Sequence, residues 1–87
     1  MEILAPTTRI DWFRILDDVR REGFSLYEVA YYTSIPKSTL LGYKNAGHEP
    51  DHSTGDVILR FWSQVTLRNQ GDAPRIPRMP SAAKLRR

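Results

Sequence analysis

The sequence predicts an all-α fold: four helices around one core, followed by a flexible basic C-terminal tail. Apolar residues recur at helical spacing in several stretches, and residues that cap or end helices separate those stretches. Proline then recurs every third residue at Pro74, Pro77 and Pro80, which is typical of extended chain. The 87 residues include no cysteine, so we expect one small domain that is stabilised by packing alone.

The first helix is predicted from Asp11 to Glu22. Asp11 is a good N-cap residue, and Gly23 is well placed to end the helix in the left-handed conformation. One face of this segment is apolar, and the charged residues fall away from it. The apolar positions are Trp12, Ile15, Leu16 and Val19.

The second and third helices have the clearest local signals. Ser25 and Glu28 match the S-x-x-E capping box, and the helix that they begin should end near Thr33. The third helix is predicted to start around Pro36, since proline is tolerated in the first helical position. It should end near Asn45.

The fourth helix is predicted over Thr54 to Leu67, with Ser53 and Asp56 as a weaker capping box. The apolar stripe of this helix predicts that Phe61 lies in the core. The stripe of the first helix predicts the same for Trp12. For Trp62 the stripe allows either a core position or a dimer interface, where aromatic residues are enriched. The domain organisation that follows is an arm over 1–10, a helical domain over 11–69 and a tail over 70–87.

The net charge of +3 is unevenly distributed. Residues 1–67 carry seven basic and nine acidic side chains, whereas residues 68–87 carry six basic ones and one acidic one. Between residues 29 and 47 the charged side chains are Lys37 and Lys44. The tail can therefore be read either as a solvated segment or as a segment that contacts phosphates.

The stretch from Ser25 to Asn45 has the pattern of a helix-turn-helix, in which one helix enters the major groove of DNA. Ala30 is small enough for the two helices to cross closely, and Val29, Ile35 and Leu40 can fill the wedge between them. The segment from Asp11 to Val65 resembles the lambda-repressor-like helix-turn-helix domains of phage and bacterial regulators. The resemblance rests on the EVA of the second helix, the IPKSTL turn, the Tyr43-Lys44-Asn45 exit and the loop that begins at Gly47.

This resemblance implies sequence-specific binding to double-stranded DNA, as in a small phage or prophage repressor that acts in the cytoplasm. It implies two groups of contacts. The base-reading positions are Lys37, Ser38, Thr39 and Leu41. The phosphate contacts are Ser25, Tyr27, Lys44 and Asn45. Because one unit reads only a few base pairs, we expect a homodimer on a palindromic site.

Two positions depart from the family pattern. Ser34 stands where glycine is usual, so we expect a strained turn that is distorted or slightly longer. Thr33 stands at a position that is normally apolar. A protein-interaction module of the same fold, such as a phage-encoded inhibitor of a host protein, is the alternative function.

No catalytic residues, metal site, cofactor or small-molecule substrate are expected, and no apolar run approaches the roughly 20 residues of a membrane span. The segment from His48 to His52 spells H-E-x-x-H, the zinc-protease motif, which requires both histidines on one continuous helix. Pro50 lies between them and would interrupt that helix. We therefore expect both histidines in a loop.

Overall fold

The structure, a computed structural model, describes residues 8–77. Within this range the chain is mostly helical, with a small two-stranded sheet. Its elements are, in order, β1 (Thr8–Ile10), α1 (Trp12–Arg21), α2 (Leu26–Thr33), α3 (Lys37–Asn45), α4 (His52–Thr66), a short 3-10 helix (Gln70–Asp72) and β2 (Arg75–Pro77). None of these helices is long and apolar enough to cross a lipid bilayer.

The predicted bounds of α1, α2 and α3 are confirmed to within a residue or two. Asp11 caps α1 by accepting a hydrogen bond from the Arg14 backbone N–H at 3.2 Å. Gly23 follows with a φ of 102°, a conformation that favours glycine. Pro36 is the N-cap of α3, so this helix begins one residue later than predicted.

The predicted start of α4 is wrong. The helix begins at His52, and its N-cap is Asp51, whose carboxylate accepts from the Thr54 N–H at 2.8 Å. Asp51 is the better cap because its negative charge is favoured at the positive end of the helix dipole. The Ser53 hydroxyl donates to the same carboxylate at 3.4 Å, so Ser53 supports this cap and does not form a capping box with Asp56.

The core lies between α1, α2, α3 and α4. Its largest fully buried side chains are Trp62, Ile15, Leu40, Ile58, Val19 and Val29. Trp12 is buried as predicted, whereas Phe61 is half-buried and packs against the core in an edge contact with Phe24. Trp62 is completely buried, which excludes the dimer-interface alternative for its side chain. Every buried side-chain N or O atom within residues 8–77 has a hydrogen-bond partner.

The two strands correct the predicted domain boundaries. β1 and β2 pair antiparallel, with Thr8 opposite Pro77 and Ile10 opposite Arg75. The Asp11 N–H donates to the Pro74 carbonyl at 2.9 Å, and Ala73 is buried in the core. Residues 8–10 and 70–77 therefore belong to the folded domain and not to an arm and a flexible tail. The remaining parts of those segments, residues 1–7 and 78–87, lie outside the described residues.

Candidate nucleic-acid interface

The start of α2 is fixed by the predicted capping box. The Ser25 hydroxyl accepts from the Glu28 N–H at 3.1 Å, and the Glu28 carboxylate accepts from the Ser25 N–H at 2.8 Å. Two of the backbone donors at this helix end are thereby satisfied. Ser25 itself is exposed, so the end of α2 is both rigid and open to solvent.

The turn between α2 and α3 places Ser34 in the strained conformation that its position predicted. Ser34 adopts the left-handed conformation, with φ 61° and ψ 25°, and its N–H donates to the Ala30 carbonyl at 2.9 Å. Serine therefore adopts a backbone conformation that glycine, but not serine, adopts without strain. Helix α3 begins three residues after Ser34.

Thr33 is buried at this turn, and its hydroxyl is fully used. It donates to the Val29 carbonyl at 2.7 Å and accepts from the Ile35 N–H at 3.3 Å. A buried hydroxyl costs stability unless it is hydrogen-bonded. These two bonds explain how threonine replaces an apolar residue here, and they tie the end of α2 to the turn.

The outer face of α3 brings together most of the residues predicted to read bases. Lys37, Ser38 and Leu41 are exposed, and Thr39 is partly exposed. Leu40 is fully buried on the inner side, which fixes how α3 is rotated relative to the core. An exposed helix face that holds two hydrogen-bonding residues and one apolar residue has the chemical groups that read base edges in a major groove.

The predicted phosphate contacts form two groups. Lys44 and Asn45 lie in the last turn of α3, where Lys44 is partly exposed and Asn45 is exposed. Ser25 and Tyr27 lie at the start of α2, and Tyr27 is 74% exposed. Tyr27 lines a groove that runs from α2 to the start of α3. The other residues of this groove are Ala30, Tyr31, Ser34, Ile35 and Pro36.

Tyr31 belongs to this surface, although the sequence analysis missed it. Its side chain is 77% exposed and lines the same groove as Tyr27. The signal was present in the sequence, because residues four apart share one face of a helix. Two tyrosines beside the N-terminus of α3 supply flat apolar surface and hydroxyl groups next to the predicted base-reading residues.

Electrostatics distinguishes α3 from the helices around it. Its charged side chains are Lys37 and Lys44. The pKa of Asp17 on α1 is lowered mainly by the hydrogen bond from Arg20, and Lys44 contributes to the same effect. Burial raises the pKa of Tyr43 on the inner flank of α3, and nearby Asp51 adds to that effect. The exposed side of α3 is therefore positive at neutral pH.

No family model, curated protein or solved structure matches this chain. The likeness to lambda-repressor-like domains thus stays a prediction from the sequence.

The H-E-x-x-H segment does not have the geometry of a zinc-protease helix. His52 is the first residue of α4, and His48 lies in the preceding loop beside Gly42. Pro50 separates them outside any helix. Among residues 8–77, no group of three or more His, Cys, Asp or Glu side chains is placed to hold a metal ion.

Proposed function

We propose that this protein binds double-stranded DNA sequence-specifically, as a small transcriptional regulator that inserts α3 into the major groove. One observation carries the proposal: α3 is anchored by buried Leu40 and presents Lys37, Ser38 and Leu41 outward. At 1.5 Å per residue, this helix is about 14 Å long, which suits contact with a few base pairs.

The helix in front of α3 supports the same proposal. The Glu28 carboxylate offsets the positive end of the α2 dipole, so a phosphate contact at this end would come from the exposed side chains of Ser25 and Tyr27. Tyr27 and Tyr31 extend from α2 beside α3, where they can pack against the sugar-phosphate backbone. Lys44 and Asn45 supply the corresponding contacts at the other end of α3.

In this proposal the protein is a repressor of phage or prophage type. It works as a homodimer in the cytoplasm, and it is neither an enzyme nor dependent on a cofactor. A dimer would place two copies of α3 about one helical turn apart on a palindromic site.

Selection of bound sequences from a random DNA pool with the full chain tests this proposal. We expect enrichment of one short motif with two-fold symmetry. Enrichment of an asymmetric motif would contradict the dimer, and absence of any enriched motif would contradict sequence-specific binding.

Three exposed tyrosines favour a protein-interaction module as a second candidate function. Tyr27, Tyr31 and Tyr32 are between 60% and 77% exposed, and aromatic residues are enriched in protein interfaces. Binding to random DNA at low salt separates the two candidates. A chain that does not bind DNA under those conditions would favour the interaction module.

A further inference from the structure

Gly42 leaves a gap in the middle of the predicted base-reading face. It lies four residues after Ser38 and three before Asn45, and residues at these spacings share one face of a helix. Buried Leu40, two residues away, lies nearly on the opposite side of α3. The centre of the outward face of α3 is therefore a glycine, which supplies no side chain.

The imidazole of His48 occupies this gap. A Cβ at position 42 would lie 2.8 Å from Nδ1 of His48 and 3.6 Å from its Cε1, so a larger residue cannot fit while the ring stays there. Gly42 is accordingly only partly exposed, although it lies on the outward face. The ring of His48 thus takes the place of the side chain that α3 lacks.

The loop after α3 holds the backbone of His48 in this position. The His48 N–H donates to the Gly42 carbonyl at 3.2 Å, and the same carbonyl accepts from the Ala46 N–H at 3.0 Å. Gly47 lies between these two donors with a φ of 75°, which turns the chain back toward the helix. The backbone of His48 is therefore bonded to the same residue that its ring covers.

The ring presents a hydrogen-bonding edge to solvent. Nδ1, Cε1 and Cγ are the ring atoms nearest to position 42, so Nε2 lies further from that position, and His48 is exposed. An imidazole carries at least one N–H donor in each of its protonation states. A purine presents its N7 acceptor in the major groove, so the exposed edge of His48 suits a contact with a purine.

We propose that His48 is a specificity-determining residue, which reads a purine base in the major groove from the place of a residue-42 side chain. This inference rests on the proposed function and adds a base contact that comes from outside α3. Gly42 is the positioning residue, because its missing side chain makes room for the ring. The base pair that His48 contacts lies beside the one that Ser38 contacts.

A phosphate contact is the other role open to an exposed histidine in this loop. The ring, however, lies over the centre of the outward face of α3. When a helix lies in the major groove, that part of its surface faces the base edges. The position of the ring therefore favours a base contact, and the two roles give different results in the experiment.

Selection of bound sequences from a random DNA pool with His48→Ala tests the proposal. We expect the preference at one base pair of each half-site to fall by about 5-fold, as for the loss of one hydrogen bond, while the other positions keep their preferences. His52→Ala is the matched control, because His52 is also exposed but lines a depression with Ile10 and Trp12. It should leave every preference unchanged.

Gly42→Ala tests the positioning of the ring, since the added Cβ displaces the imidazole without removing it. This variant should lose the preference at the same base pair as His48→Ala. The double variant G42A/H48A should lose no more than either single variant, because both changes remove one contact. In the absence of DNA, Gly42→Ala should shift the proton NMR signal of Cε1–H in His48 and leave that of His52 in place.

The two proposals fail in different ways. A full chain that selects no site would contradict the proposed function itself. A chain that selects a site but keeps every base preference after His48→Ala would contradict only the role of His48. An equal loss of affinity for all sequences in that variant would overturn the base contact in favour of a phosphate contact.

The positioning role of Gly42 can be overturned separately. Losses that add fully in G42A/H48A would show that the two residues act independently. An unchanged NMR signal of His48 in Gly42→Ala would show that the ring does not lie over this glycine.

Discussion

Trp62 and Asp18, which lie 44 residues apart, are joined by a hydrogen bond from the indole Nε1–H to the carboxylate Oδ2 at 3.1 Å. The same oxygen accepts from Nη2 of Arg68 at 2.7 Å, and the Arg68 guanidinium carbon lies 4.8 Å from the centre of the Trp62 ring. Trp62 has no solvent-exposed surface. This contact therefore fixes α1, α4 and the residues after α4 relative to one another.

We expect Asp18→Ala to lower the free energy of unfolding by about 1–3 kcal/mol, because it leaves the buried indole N–H without a partner. Asp17→Ala is the matched control. Asp17 makes ion pairs with the exposed side chains of Arg20 and Arg21 on the same helix, so its removal leaves no buried donor without a partner. Urea unfolding followed by circular dichroism measures both, and equal losses would contradict the importance of the Trp62 contact.

The elements that could be predicted are those whose signals lie within a few residues. The S-x-x-E capping box placed the start of α2, and the apolar stripe of α1 placed Trp12 in the core. The start of α4 was missed because Asp51 and Ser53 are both good caps, and only the three-dimensional structure shows which one accepts from Thr54.

The sheet could not be predicted, since its strands have three residues each and are too short for a periodic pattern. Their pairing places Thr8 opposite Pro77, 69 residues away along the chain. The contact of Trp62 could not be predicted for the same reason, because its hydrogen-bond partner Asp18 lies on another helix. At the candidate site, the spacing along α3 did predict the exposure of Lys37 and Ser38, but their contact with DNA stays a prediction.

Among residues 8–77, the non-glycine residues with positive φ are Ser34 and Leu67, and they give a second prediction. Each has φ 61°, and glycine relieves strain of about 1–2 kcal/mol at such a position. Glycine also costs backbone entropy, so we expect Ser34→Gly and Leu67→Gly each to raise the free energy of unfolding by up to about 1 kcal/mol. Leu67 is 90% exposed, and little packing is lost there.

Ser38→Gly is the control for these substitutions. Ser38 lies in the first turn of α3 with helical backbone, where glycine should lower the free energy of unfolding by up to about 0.5 kcal/mol. Thermal unfolding of the three variants measures the difference in sign. A lower melting temperature for Ser34→Gly would contradict the left-handed turn.

Two helical glycines should respond differently to alanine. A Cβ at Gly55 would lie 3.2 Å and 3.3 Å from two ring carbons of Trp12, a buried side chain that would have to shift within the core. We expect Gly55→Ala to lower the free energy of unfolding by about 1–3 kcal/mol through overpacking. This loss should exceed the gain of up to about 1 kcal/mol that alanine brings to a helix.

Gly42→Ala is the matched substitution in α3. Its Cβ would come within 2.8 Å of Nδ1 of His48, but His48 is exposed and its ring can turn aside. The helix propensity of alanine should then leave this variant as stable as the original chain or slightly more stable. Urea midpoints of the two variants measure the contrast, and a tolerated Gly55→Ala would contradict the packing of Trp12.

Stability should decrease in acid, because two carboxylates have lowered pKa values in the folded state. The pKa of Asp17 is lowered mainly by its hydrogen bond from Arg20, and that of Asp51 mainly by the Thr54 backbone N–H. Their contribution is fully present above the pKa of an unfolded aspartate, near 4, and is lost as the pH falls through the lower folded values.

Asp51→Asn removes the negative charge but keeps a capping side chain, since asparagine also caps helices well. At pH 7 we expect α4 to stay formed in this variant, and its loss of stability between pH 5 and pH 2 should be smaller than in the original chain. Urea midpoints across this range measure the effect. An identical decrease in both chains would show that Asp51 does not contribute to acid unfolding.

Base-reading and phosphate contacts on α3 should respond differently to substitution. We expect Lys37→Ala and Ser38→Ala each to reduce the discrimination between the selected site and other sequences by about 1–3 kcal/mol, as loss of a base contact does. Lys44→Gln should weaken binding to all sequences alike and reduce the salt slope by about 0.9. Arg60→Gln, which removes a charge from the groove between α2 and α4, should change neither quantity.

Competition binding against a scrambled site at several salt concentrations measures discrimination and slope together. The fold should be unaffected, since Lys37 and Ser38 are exposed and make none of the capping contacts of α3. Unchanged discrimination after both substitutions would show that α3 does not read the bases. A change in site preference for Lys44→Gln would instead indicate that the end of α3 takes part in reading the bases.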